Sequence, residues 1–129
     1  MTLFSKIIAG EIPSYKILED ENFYAFLDVF PLVEGHVLIV PKNETDKFFD
    51  LSDSYLQKIL LFAKPIAAAI EKAFPCNRCG ISVVGLEVPH AHLHLMPINS
   101  ANDINFTKEK IKVTPELLAI VQSKILAAL

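Results

Sequence analysis

Pro89-His90-Ala91-His92-Leu93-His94-Leu95-Met96-Pro97 is the stretch on which the fold of this chain turns. Bounded by prolines, it predicts a β-strand over Ala91 to Pro97. Side chains alternate faces along a strand, so His90, His92 and His94 are expected on one side, about 6.5–7 Å apart per pair, with Ala91, Leu93 and Leu95 on the other. Three imidazoles at period two, backed by an apolar face, point to a packed strand with a chemically active front.

Toward the N-terminus, Cys79 to Val84 predicts a neighbouring strand across the turn-like Gly85-Leu86-Glu87-Val88-Pro89. Ser52 is the expected N-cap of a long helix reaching Phe74, with Leu56, Ile59, Leu60, Ala63, Ile66, Ala67 and Ile70 as its apolar stripe and Pro65 as a kinking residue. Earlier still, His36 to Val40 reads as a strand buried on both faces and closed by Pro41. Tyr15 to Leu18 and Asn22 to Asp28 read as a hairpin, and Thr2 to Gly10 as a short amphipathic helix stopped by glycine. Beyond the histidines, Asn99 to Val113 is polar and without periodicity; Thr114-Pro115-Glu116 then supplies a cap, a first-turn proline and a first-turn acid for a helix to about Leu129. The expected architecture is α+β: about five antiparallel strands, one long central helix and a C-terminal helix, in one domain over residues 1–129.

Composition narrows the function. Of 129 residues, 52% are hydrophobic and 21% charged, a globular balance, and no apolar run reaches the roughly 18 residues that span a bilayer. No secretory signal is read at the N-terminus, so a cytoplasmic location is expected. A net charge of −3 without a Lys/Arg cluster argues for a small ligand rather than a nucleic acid. Cys76 and Cys79 form one C-x-x-C with no second pair to complete four ligands, which favours two ordinary thiols at a turn.

Two chemistries compete for the histidines. Imidazoles on one face can bind a transition metal and make a hydrolase. Alternatively, one imidazole attacks phosphorus while the others orient it and bind the phosphate oxygens. The nearest acid, Glu87, lies in the preceding turn with no paired motif, which favours the second.

His90-x-His92-x-His94 followed by Leu95-Met96 resembles the His-φ-His-φ-His-φ-φ signature (φ apolar) of the histidine-triad (HIT) family of nucleotide hydrolases and transferases. Leu3 to Pro13 resembles that family's N-terminal helix, and Phe26 to Pro31 with Gly35 to Lys42 its central hairpin, so the likeness runs from about residue 2 to 97 and leaves 98–129 unmatched. It implies that His92 is a nucleophile toward the α-phosphorus of a nucleoside phosphoramidate, adenylate or dinucleotide, forming a nucleotidyl-histidine that water hydrolyses. By the same resemblance His94 donates to the phosphate, His90 supports the network around the nucleophile, and His36 is the family's fourth histidine. Asp28 would accept from the ribose hydroxyls, and Leu3, Phe4, Ile7, Ile12, Phe26 and Val29 would wall the base of a purine nucleotide. Asp28 is equally a hairpin-end acid, and Phe4, Ile7 and Phe26 are residues any core would use.

The chain departs from that pattern in places. The loop Ile81 to Gly85 is shortened and has no asparagine, and Glu87 stands where relatives place a residue near the leaving group, as a general acid or as a plain surface acid. Where some relatives carry zinc-binding cysteines and a histidine, this chain has Thr2, Ser5 and Glu44, so no metal and no cofactor is expected. The resemblance also implies a homodimer, which the surplus of Phe48, Phe49, Phe62 and Phe74 around the long helix suits. A catalytically weak nucleotide-binding module and the metal-dependent hydrolase are the competing functions.

Overall fold

The computed structural model describes residues Met1 to Leu129. Five strands form one antiparallel sheet: β1 (Lys16–Glu19), β2 (Phe23–Leu27), β3 (Val37–Pro41), β4 (Arg78–Ser82) and β5 (Leu93–Ile98), in spatial order β1-β2-β3-β5-β4. Helix α1 (Leu3–Ile8) packs on one face, while α2 (Asp53–Ala73) and α3 (Pro115–Ala128) cover the other. The α+β architecture expected from the sequence is the one observed. No helix is long and apolar enough to cross a membrane.

Strand alternation sorts the sequence into two cores. Phe23, Ala25, Leu27, Val37, Ile39, Leu93 and Leu95 point toward α2 and α3, meeting Ile59, Phe62, Ile66, Ile70, Val121 and Ile125. The intervening Tyr24, Phe26, Leu38 and Val40 point the other way, onto Phe4 and Ile7 of α1. β2 and β3 are central and covered on both sides, so every residue in them is buried.

The helix ends follow their caps. Thr2, Ser52 and Thr114 each accept a hydrogen bond from the backbone N–H three residues on, and Pro115 opens α3 where its missing N–H costs nothing. Helix α2 runs through Pro65, which is solvent-exposed. Leu61, whose carbonyl loses its partner one turn back, is 71% exposed as well, so water can satisfy it. The apolar stripe differs from expectation: Leu60 is 56% exposed and Phe62 is buried in its stead. Phe62 and Phe74 are thus used by the chain's own core, whereas Phe49 is exposed.

The largest revision concerns the histidine strand. β5 begins at Leu93, so only His94 lies on it; His90 and His92 belong to the non-regular segment before it. His90 N–H turns back to the Val88 carbonyl (2.8 Å), and Ala91 N–H donates to Thr45 (2.7 Å) rather than to a strand neighbour. β4 likewise ends at Ser82, leaving Val83 and Val84 outside the sheet.

Candidate functional site

All four histidines are buried, and their ring nitrogens are engaged in an order that assigns their protons. Leu32 N–H donates to His36 Nδ1 at 3.1 Å. That nitrogen therefore presents a lone pair, and the neutral His36 ring carries its hydrogen on Nε2. Nε2 lies 2.9 Å from His94 Nδ1, so His94 accepts there and keeps its own hydrogen on Nε2. Burial, reinforced by the neighbouring positive groups, lowers the pKa of both His36 and His94 to about 3, which holds the pair neutral and the tautomers in place. Gly35, at φ +91°, makes the turn that delivers His36; a Cβ there would meet the Phe74 ring at 2.8 Å.

His92 is set the other way round. Its Nδ1 lies 2.8 Å from the main-chain carbonyl of His90, which can only accept, so Nδ1 holds the hydrogen and the neutral ring has its lone pair on Nε2. The His92 ring stands edge-on to His94 (5.0 Å between centroids) and to Phe4 (5.0 Å).

His90 is fully buried behind this pair. Its Nε2 donates to the Pro41 carbonyl (2.8 Å), and its Nδ1 receives the Thr2 hydroxyl (2.8 Å). Glu44 ties down the same corner, accepting from Thr2 N–H (2.9 Å) and the Ser5 hydroxyl (2.5 Å); these bonds hold its carboxyl below the usual range. Thr2, Ser5, Glu44 and His90 thus close on one another through hydrogen bonds.

Two cavities meet at the histidines. The larger, about 290 Å³, is lined by Leu3, Phe4, Ile7, Ile12, Phe26 and Val29 at its apolar end, so all six expected wall residues face one space. The smaller, about 190 Å³, is bounded by Leu32, His36, Leu86 and Phe106. Asp28, Glu87, His92, His94 and Lys110 line both. His90 lines neither, so the expectation that all three triad rings share one open surface is corrected: His92 and His94 face the cavities, while His90 holds their frame.

Asp28 divides its two oxygens between its two readings. Oδ1 accepts from Phe30 N–H at 2.9 Å, an Asx turn at the end of β2, while Oδ2 lies 3.6 Å from His36 Nε2 at the junction of the cavities. Burial raises its pKa. Glu87 is 76% exposed and 3.6 Å from Lys110 Nζ, the position of a surface acid in an ion pair.

Asp28, His36 and His94 offer ligand atoms within 4.8 Å of one another, which brings up the metal reading. For His36 Nε2 to bind a cation it would need its hydrogen on Nδ1, pointing at the Leu32 N–H; two donors would then face each other at 3.1 Å. The cluster fits a proton-bearing histidine pair better than a cation. Burial pushes the Cys79 thiol up to about 12 and raises Cys76, the reverse of an activated thiol.

Residues the sequence did not mark are Phe106 and Lys110. Phe106 stands edge-on to His94 at 4.7 Å, and Ile111 N–H donates to the Pro31 carbonyl at 3.0 Å, so the aperiodic stretch after β5 folds back over the triad. Nothing in its polar composition signals that return.

The model of the HIT domain matches residues 9–101 of this chain. A HIT-like protein of Borreliella burgdorferi is 33% identical over 125 residues, covering 85% of this chain and 90% of that protein. An adenosine 5'-monophosphoramidase of Saccharomyces cerevisiae is 40% identical over 100 residues, covering 74% of this chain and 61% of that protein. Among solved structures, a HIT-like protein of Bartonella henselae superposes with a TM-score of 0.87 at 29% identity, over 99% of this chain and 96% of the other.

Proposed function

The chain belongs to the HIT domain family, and from that premise we propose that it is a nucleotidyl hydrolase or transferase with His92 as nucleophile. HIT proteins such as the yeast monophosphoramidase are hydrolases of phosphorus bonds. The observation that carries the reading is the hydrogen-bond geometry at the cavity junction: His92 Nδ1 faces the His90 carbonyl and His94 Nδ1 faces His36 Nε2, which assigns a lone pair to His92 Nε2 beside a hydrogen on His94 Nε2.

In this reading the nucleoside base occupies the apolar end against Phe4, Ile7 and Phe26, and Asp28 Oδ2, the oxygen that the Phe30 amide leaves free, accepts from the ribose hydroxyls. The α-phosphate then lies between His92 and His94. His92 Nε2 forms a bond to phosphorus; the bond to the leaving nitrogen or oxygen breaks with its electron pair, and that atom takes a proton from solvent. His94 Nε2–H donates to a phosphoryl oxygen, most strongly as charge builds there. Water next attacks phosphorus, the N–P bond returns its pair to Nε2, and a nucleoside monophosphate leaves. The His90 carbonyl keeps Nδ1–H in place throughout, stabilising the cationic ring of the adduct. Phosphoramidates, adenylates and dinucleoside polyphosphates all meet these requirements, with a purine nucleotide as the unit retained.

The test is mass spectrometry of the protein quenched without acid after brief incubation with an adenosine phosphoramidate. A mass gain of one nucleotidyl group, absent in His92→Ala, is expected. Full turnover by the variant would overturn the reading.

A homodimer is part of the same proposal. β4 is an edge strand with Ile81 half exposed, and α2 leaves Leu60 and Leu61 exposed; a partner's matching surface would cover both. Light scattering at twice the chain mass is the expected result.

A further inference from the structure

The triad supplies little positive charge for a site that, in this reading, holds a phosphate. His36 and His94 are both held neutral, and a neutral His94 offers one N–H. Among all residues lining the two cavities there is one lysine and no arginine: Lys110. It lines both, together with His92, His94, Asp28 and Glu87, at the place where the reacting phosphate would sit.

Its placement is constructed by the fold. The neighbouring Ile111 N–H is bonded to the Pro31 carbonyl, in the loop that follows Asp28, and Phe106 packs its ring against His94. The stretch is therefore anchored at both ends to elements of the site. The Lys110 side chain is 39% exposed, and its Nζ has Glu87, itself 76% exposed, as an ion-pair partner at 3.6 Å. A pair so open to water holds together weakly. A substrate phosphate at the junction carries its charge on non-bridging oxygens inside the cavity, where a charge-assisted hydrogen bond to the ammonium is less open to water than the pair with the exposed carboxylate. Residue 110 also lies outside the segment 9–101 that the HIT domain model matches, so this cation is supplied by the chain's own C-terminal stretch.

We propose that Lys110 is the phosphate-binding cation of this site and Glu87 its counter-ion, which the substrate's phosphate replaces. The proposal rests on the nucleotide reading above and adds the residue that recognises the anion. Substrate binding exchanges one ion pair for another: Nζ turns from the carboxylate to a phosphoryl oxygen, and Glu87 is released toward solvent. Glu87 thereby becomes a selectivity element, opposing anions that bind too weakly to displace it.

The experiment is calorimetric titration of the whole protein with adenosine 5'-monophosphate and, separately, with adenosine. Lys110→Met should weaken the monophosphate at least about tenfold, the usual scale for a hydrogen bond to a charged group, and leave adenosine unchanged. Lys110→Arg should recover most of the loss, and Glu87→Gln should tighten the monophosphate while leaving adenosine alone. Raising the salt concentration should weaken the monophosphate less in Lys110→Met than in the wild type. Equal weakening of both ligands would assign Lys110 a structural role and overturn the proposal, as would wild-type affinity of Lys110→Met for the monophosphate. If the wild type binds neither ligand, the nucleotide reading itself falls, an outcome separate from those two.

Discussion

On the face of the sheet that meets α2 and α3, 17 buried residues form one cluster, all of them apolar. On the opposite face the apolar cluster has 6 buried members and shares its side of the sheet with a network of buried histidines. Both faces are read from the same strands at alternate positions: Leu93 and Leu95 enter the first, His94 the second. The first face is held by area removed from water, which is non-directional and tolerant of chemistry as long as volume is kept. The second is held by hydrogen bonds whose donors and acceptors must all match, since no buried side-chain polar atom is left without a partner. One sheet thus carries stability on one side and selectivity of protonation on the other, and the two should fail in different ways.

The strongest break of this contrast is His92→Ala, expected to lower kcat at least about 10⁴-fold while the urea midpoint stays near that of the wild type. Steady-state kinetics and a denaturation curve on the same preparation decide it; a large loss of stability would mean that the site face also carries the fold. The complementary change is Ile70→Ala, at a fully buried position on the core face of α2, expected to cost about 3 kcal/mol with kcat of the folded fraction unaltered. Should kcat fall as well, the two faces are mechanically coupled through the strands.

Acidification sharpens the same comparison. His36 and His94 have folded pKa values of about 3, well below the ordinary 6.5, so the unfolded chain binds more protons than the folded one between those limits. Their contribution is intact above about pH 6.5 and is lost as pH falls toward about 3. Asp28, whose pKa is raised, acts in the opposite sense and offsets part of the loss. Urea midpoints measured from pH 7 downward should therefore decline, and a flat profile would contradict the neutral histidine pair. The smallest effect expected is that of Thr114→Ala, which removes the α3 cap on the apolar side and should cost about 1 kcal/mol without touching turnover.

Much of the fold was legible because local rules decide it. The caps Ser52 and Thr114, the proline opening α3, the aromatic and apolar run of β2 and the uninterrupted apolar run of β3 each act within a few residues; the caps stand where the pattern placed them and the two strands within one residue of it at each end. The errors fall where a distant partner overrides the pattern. His90 and His92 look like strand residues by alternation, but the Val88 turn and the Thr45 carbonyl take the backbone hydrogen bonds there, so β5 starts later. Leu60 continues a helical stripe on paper, yet the sheet lies over the side of α2 that carries Phe62.

The sequence alone determined the family resemblance and the alternation that separates the two cores, because these depend on residue type and on periodicity along one chain; the six expected wall residues came with that resemblance, and the structure lines one cavity with them. Which nitrogen of each histidine holds the hydrogen was decided only by the tertiary structure. A ring nitrogen takes its role from the group facing it, and those groups are the Leu32 amide, the His90 and Pro41 carbonyls and the Thr2 hydroxyl, brought together from separate loops. Lys110 was hidden for the same reason: a lysine in a polar, aperiodic stretch looks solvated until Ile111 bonds to Pro31 and folds it over the triad.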